Sequence, residues 1–318
     1  MAKKTMMKST LLTTKIMNAH LIYPVILLFL FSSPIQAERP IMEGKPSGQI
    51  LATGAGRVII MNPKGEILWE RKGSNVSDCW MLKNGKVIFA DNRVTEVDPK
   101  TGKVTFMYQP KVSKGGGTYG CQPLKNGNIL IGENSTGKIY EMTRRGKVVF
   151  ELQLPLYQAG SHHNLRMVRK LKNGNYLVCH SGKHIVREYT PKGKVVYEVK
   201  VGNIAFSASR LPNGNTLVGH IDQITEFSPT AEVVWKFAST DIPGLTIGSI
   251  CGVHVLDNGN LAVGVYGAYK KGGQAGLFEI TREKKLIWCY SNPKSDRSMM
   301  SIQMLDHEGK PLSSAPIR

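Results

Sequence analysis

The sequence predicts an all-β fold, a six-bladed β-propeller of four-stranded antiparallel blades, and three observations predict it. The first is a hairpin signal recurring in register: "LKNGKVIFAD", "LKNGNILIGE", "LKNGNYLVCH", "LPNGNTLVGH" and "LDNGNLAVGV". Their glycines, Gly85, Gly127, Gly174, Gly214 and Gly259, lie 42, 47, 40 and 45 residues apart. The second is a follow-on hairpin in each unit, as in "HIVREYTPKGKVVYE" and "DQITEFSPTAEVVWK": an alternating run, a polar turn, then a β-branched run ending in an aromatic. The third is the lack of any helical periodicity between copies. Four short strands in each unit of roughly 40–50 residues is the period of propeller blades, which stack to bury their faces.

In chain order, residues 1–37 stand apart from the repeats. Lys3, Lys4, Lys8 and Lys15 give a basic start, "LIYPVILLFLFSS" is a short apolar run, and "PIQA" offers Ala37 as the last residue before cleavage. That order reads as a secretory signal peptide, with an uncleaved anchor as the alternative, and the run is too short for a spanning helix. Residues 38–318 are then one propeller domain, secreted or periplasmic, and the mature chain has no membrane span. Residues 46–72 supply three strands with an early hairpin glycine at Gly48, but no inner strand. The tail "SMMSIQMLDHEG" reads as the missing inner strand followed by the turn at Gly309. Pairing the tail with the first unit closes a six-bladed ring and removes an unpaired edge.

Asn-Gly between apolar runs favours a type I′ turn, with positive φ at both central residues. In that register the residue six after each hairpin glycine lies opposite the residue four before the hairpin leucine. The six-after positions hold Gly54, Asp91, Glu133, His180, His220 and Val265, and the residues just before them are small. A ring position thus carries Asp, Glu, His and His in four consecutive blades. His162, His163 and Asn164 precede the fourth inner strand, with Arg166 just inside it, at the same rim.

Asp91, Glu133, His163, Arg166, His180 and His220 are therefore the candidate ligand-binding residues, expected to share one cavity at the mouth. His163 and His180 are the catalytic candidates. No spacing matches a linear metal motif, so the metal content stays open. The five cysteines have no close pair and read as small buried hydrophobes.

The chain is strongly basic, +19 overall, which points to anionic partners such as acidic glycans or envelope components. Much of the lysine falls in turns such as "LKNGK" and "PKGK", where it keeps hairpin tips soluble. Nucleic acid is not expected as a partner.

The units, "NGNxLVG" followed by "ITEFSP" or "VREYTPKGKVV", resemble the repeats of quinoprotein-like (PQQ-like) propellers. They also resemble those of arylsulfotransferase-type bacterial propellers and their secreted relatives. The resemblance covers essentially all of 38–318 and implies the fold. The quinone-dependent members are larger and usually eight-bladed, so PQQ is not expected here. Arylsulfotransferases match the blade number, use a histidine in the central cavity, and carry an extra N-terminal domain for which this chain has no room. Two functions follow as expectations. One is an exported binding module for an anionic small molecule, glycan or envelope partner at a basic mouth. The other is a channel-type enzyme acting by histidine-dependent group transfer or metal-assisted lysis or hydrolysis.

Overall fold

A computed structural model describes residues 41–318 except 113, 159, 246, 268–274, 292–298 and 313–316. The expected signal peptide and its expected cleavage after Ala37 lie outside the described residues. Six antiparallel sheets follow one another around an axis as six blades. The second blade is typical, running from the axis outwards as Asp78–Met81, Val87–Ala90, Val94–Val97 and Val104–Tyr108. Two short 3₁₀ turns, Ser181–Lys183 and Ser239–Asp241, are the helical elements among the described residues. No helix there is long and apolar enough to cross a membrane.

The tail closes the ring. Met299–Met304 is the inner strand of the first blade, pairing Met304 with Ile50 and Ile302 with Ala52. Across the same joint, Ser301 N–H donates to Thr53 Oγ1 (3.0 Å). The last blade gains a fifth strand that the repeats did not announce: Ile41–Gly44 pairs along the outer strand Leu286–Ser291.

The hairpin turns differ from the expected type. Leu82 N–H donates to the Lys86 carbonyl and Gly85 N–H to the Leu82 carbonyl, and the Asn-Gly copies repeat this. Gly85 is left-handed (φ 80°), whereas Asn84 is not among the residues with positive φ. This is a type I turn with a glycine bulge. The asparagine side chain serves the turn instead, Asn84 Oδ1 accepting from Lys86 N–H (3.1 Å). The bulge takes up one residue, so the register moves by one: Asp78 faces Ala90, Gly120 faces Gly132, and Ser207 faces Gly219.

Each blade packs against a neighbour on both faces, so its middle strands are buried on both sides. The small residues of the inner two strands let the next blade's backbone approach. A Cβ on Gly252 would meet the Met300 carbonyl at 2.7 Å, and one on Gly264 would meet it at 2.6 Å. They serve blade packing rather than leaving room at a site.

The glutamate of "ITEFSP" and its equivalents staples blades together. Glu96, Glu141, Glu188 and Glu226 are buried on third strands. Each reaches a cation of the following blade: Arg144, Lys170, Arg210 and Arg282 respectively. Glu279 instead accepts from Trp288 Nε1 (2.6 Å) and Asn260 Nδ2 (2.7 Å). All five cysteines are buried.

Candidate functional site

Only the innermost strand of a blade edges the propeller axis. Five residues before each hairpin leucine, the six inner strands or the chain just preceding them place Ser77, Tyr119, Arg166, Phe206, Cys251 and Met300 in a ring. Above the ring opens a cup of about 610 Å³. Its rim comes from the loops between blades, which contribute Asn75, Gly115, Gly116, His162, His163 and Ile204.

Asn134 holds this rim in shape. Its fully buried side chain donates to the Gly115 and Ser161 carbonyls (2.9 and 3.0 Å) and accepts from Leu165 N–H (2.9 Å). Two rim loops are thereby tied at one point. Asn164 closes the second loop on itself, accepting from Gln158 N–H (2.7 Å) and donating to the Gln158 carbonyl (2.6 Å). Gly116 is left-handed (φ 89°), and a Cβ there would meet Tyr119 Oη at 2.3 Å, so the tyrosine's place on the wall requires glycine.

Arg166 is the charged centre of the cup and is only 9% exposed. Its guanidinium lies 4.1 Å from the Tyr119 ring centroid and 5.5 Å from that of Phe206. No carboxylate approaches it within ion-pair distance among the described residues, and its buried Nε has no hydrogen-bond partner. The lining supplies no counter-ion either. Burial pushes the Cys251 thiol up to about 11 and raises the Tyr119 phenol, so both stay neutral at pH 7. An arginine in this state remains charged and is uncompensated, a costly arrangement away from water.

The histidines at the rim are neutral as well. Burial, then His162 and Arg166, lower His163 to about 4. Burial and Arg166 lower His162 too. The two rings are 3.9 Å apart, with His163 edge-on to Phe206 at 6.4 Å.

Of the six candidate ligand residues, the structure brings His163 and Arg166 together in the cup and places the other four elsewhere. Asp91 is held by Arg93 (3.0 Å), and burial raises its pKa. Glu133 accepts from Tyr108 of the preceding blade (2.5 Å). His180, fully buried, is hydrogen-bonded to Tyr189 (2.8 Å) and edge-on to Tyr157. His220 is hydrogen-bonded to Thr225 (2.9 Å). Burial lowers His180 to about 3, with Arg187 adding, and His220 to about 4, with Lys236 adding. The reason is geometric. A second strand stands about 4.8 Å outside the inner one, and its side chains leave the sheet sideways into the neighbouring blades. Arg166 is the single permanently charged residue of the described lining. The hairpin-tip lysines Lys83, Lys125 and Lys172 are exposed on turns at the other end of the inner strands.

Sequence reasoning missed Tyr119, Phe206, Cys251 and Met300. Their signal was the shared offset of five from the hairpin leucine, which links residues with no chemistry in common. Among the described residues no three His, Cys, Asp or Glu side chains gather as a metal ion requires.

No protein-family profile matches the sequence, and no curated protein sequence does. Solved structures are similar in fold. A protein of unknown function from Bacteroides caccae superposes with a TM-score of 0.72 at 24% identity, covering 86% of this chain and 100% of that one. A streptogramin B lyase reaches 0.56 at 14% identity, covering 85% and 93%. The WD40 β-propeller domain of Doa1 reaches 0.53 at 13% identity, covering 78% and 76%. At these identities the similarity establishes a β-propeller and nothing further.

Proposed function

We propose that the cup binds a small anionic molecule through Arg166, and that the protein is an exported binding module. The observation that carries this reading is a nine-tenths buried guanidinium that lines an open cavity and has no acid of its own among the described residues. A buried charge is ordinarily paired, so the partner comes from outside the chain. The volume is that of small-molecule sites, about 300–1,000 Å³. The order of residues 1–37, basic, then apolar, then small, supports export to the periplasm or beyond. The repeat motifs support kinship with the PQQ-like and arylsulfotransferase-type propellers, without bound PQQ. Thermal unfolding against a panel of small carboxylates, sulfonates and phosphates tests the reading. At least one should raise the Tm of the wild type and leave Arg166→Met unmoved; equal shifts in both proteins would refute it.

A catalytic second reading is favoured by one observation, a neutral His163 tilted against His162 beside Arg166. Such an imidazole has a lone pair free to take a proton or attack an electrophile, with the guanidinium nearby to hold an oxyanion. Group transfer, lysis or hydrolysis would then be lost in His163→Ala, while ligand-induced stabilisation survives.

A further inference from the structure

Resting on the proposed anion site, the chemistry of the walls narrows the ligand. We infer that the cup takes a monocarboxylate carried on an aromatic body, carboxylate inwards against Arg166, and discriminates against dianions and against small bare anions.

Three features lead there. The first is the posture of the guanidinium. Tyr119 and Phe206, from adjacent but one blades, crowd it at 4.1 and 5.5 Å. Ring contacts engage a guanidinium through its π-system, whereas its N–H groups radiate in its own plane. An edge offering parallel N–H donors fits a planar two-oxygen acceptor, and a carboxylate is that shape.

The second is the charge count. Arg166 is the one permanent charge of the described lining, and the two histidines beside it are neutral at pH 7 because burial lowers both. One positive charge compensates a monoanion. A dianion would leave a second charge in a partly dry cup with nothing in the described lining to meet it.

The third is the remaining surface. Phe206, Cys251, Met300, Ile204 and Ile221 line the cup with apolar atoms, and Tyr266 stands exposed at its edge. Acetate or sulfate would reach Arg166 and leave these walls wet. An aromatic ring covers them, and the methionine and tyrosine prefer such a partner.

The test is isothermal titration at pH 7 with four probes of graded chemistry: 2-naphthoate, 2-naphthamide, 2-naphthyl phosphate and acetate. Wild type should bind 2-naphthoate at least tenfold more tightly than each of the other three. Arg166→Met, which exchanges the guanidinium for an apolar chain, should bind 2-naphthoate and 2-naphthamide alike. Should that variant misfold, the order of the four probes on the wild type decides alone. Acetate or naphthyl phosphate binding as tightly as 2-naphthoate would overturn the inference and leave the anion site standing. Equal affinity of wild type for 2-naphthoate and 2-naphthamide would overturn both. No binding of 2-naphthoate at millimolar concentration would overturn the inference.

Discussion

Arg169 of the fourth blade grips Asp78 of the second across the axis, with Nη1 2.9 Å from Oδ2 and Nη2 3.3 Å from Oδ1. Arg318 joins them: its Nε donates to the Ile302 carbonyl (2.8 Å), its Nη2 to Ser301 Oγ (2.6 Å), and its carbonyl accepts from Arg169 Nε (2.7 Å). Trp80 lies against both guanidiniums, 5.0 and 4.4 Å from its ring. Asp78, Trp80, Arg169 and Arg318 are all buried. The axis is therefore blocked beyond the ring at Arg166, and what enters the mouth leaves by it.

Breaking this plug should be expensive. Asp78→Ala leaves two buried guanidiniums facing each other and is expected to cost about 3–5 kcal/mol, the usual result of removing one partner from a buried ion pair. Urea unfolding measures it. A loss below about 1 kcal/mol would mean that water reaches the two arginines.

The blade staples should contribute where surface pairs do not. Glu226→Ala strands Arg282 and the half-buried amide of Asn215 and is expected to cost roughly 1–3 kcal/mol. Glu308→Ala removes the Lys310 pair, whose side chains are 67% and 71% exposed, and should change nothing measurable. Equal effects would contradict the stapling role.

The closing strand should behave as core. Ile302→Ala, at a fully buried position, is expected to cost about 2–5 kcal/mol. Leu68→Ser, on an outer strand at 54% exposure, should stay within roughly 0.5 kcal/mol. A mild Ile302 variant would show that the ring tolerates a loosened joint.

Acid should weaken the fold through its buried histidines. His180 and His254 are each lowered to about 3, by burial first and then by Arg187 and Arg318 respectively. His254 Nδ1 moreover accepts from Met304 N–H at 3.0 Å and cannot do so protonated. The unfolded chain binds these protons near pH 6.5, so stability is complete above that pH and falls as pH drops from 6.5 towards 3. Each histidine contributes about 1.4 kcal/mol per pH unit inside this window. Chemical denaturation at pH 7, 5.5 and 4.5 should show the decline, with a shallower one in His254→Gln. An unchanged slope in that variant would remove His254 as a cause.

The blades and their closure were legible because a hairpin is a local event: Asn-Gly between apolar runs specifies a turn wherever it occurs. The register was misread by one residue, because the glycine bulge and the type I′ turn share that dipeptide while seating different numbers of residues. That slip, together with burial on both faces, drew attention to His180, His220, Glu133 and Asp91, which are held by Tyr189, Thr225, Tyr108 and Arg93 away from the cup. His163 and Arg166, which do line the cup, were singled out by their place at the start of an inner strand. The rest of the ring at the mouth has no common residue type, and an arginine without a counter-ion among the described residues is visible only in three dimensions. The strand Ile41–Gly44 has no counterpart in the repeat, so nothing in the period announced it.

The hydrogen bond from Ser301 to Thr53 joins positions 248 residues apart, and so sets an order of events for the growing chain. Blades two to five each complete from consecutive residues and can assemble as they emerge. The first blade cannot: Ile50–Gly54 stays without its inner neighbour until Met299–Met304 arrives. Until then the protein is an open arc with a bare strand edge, the form in which a chain pairs with the wrong partner. Closing that arc is the longest-range contact in folding and should be its slow step. Any delay in making the tail lengthens the interval in which a second copy can supply the missing strand.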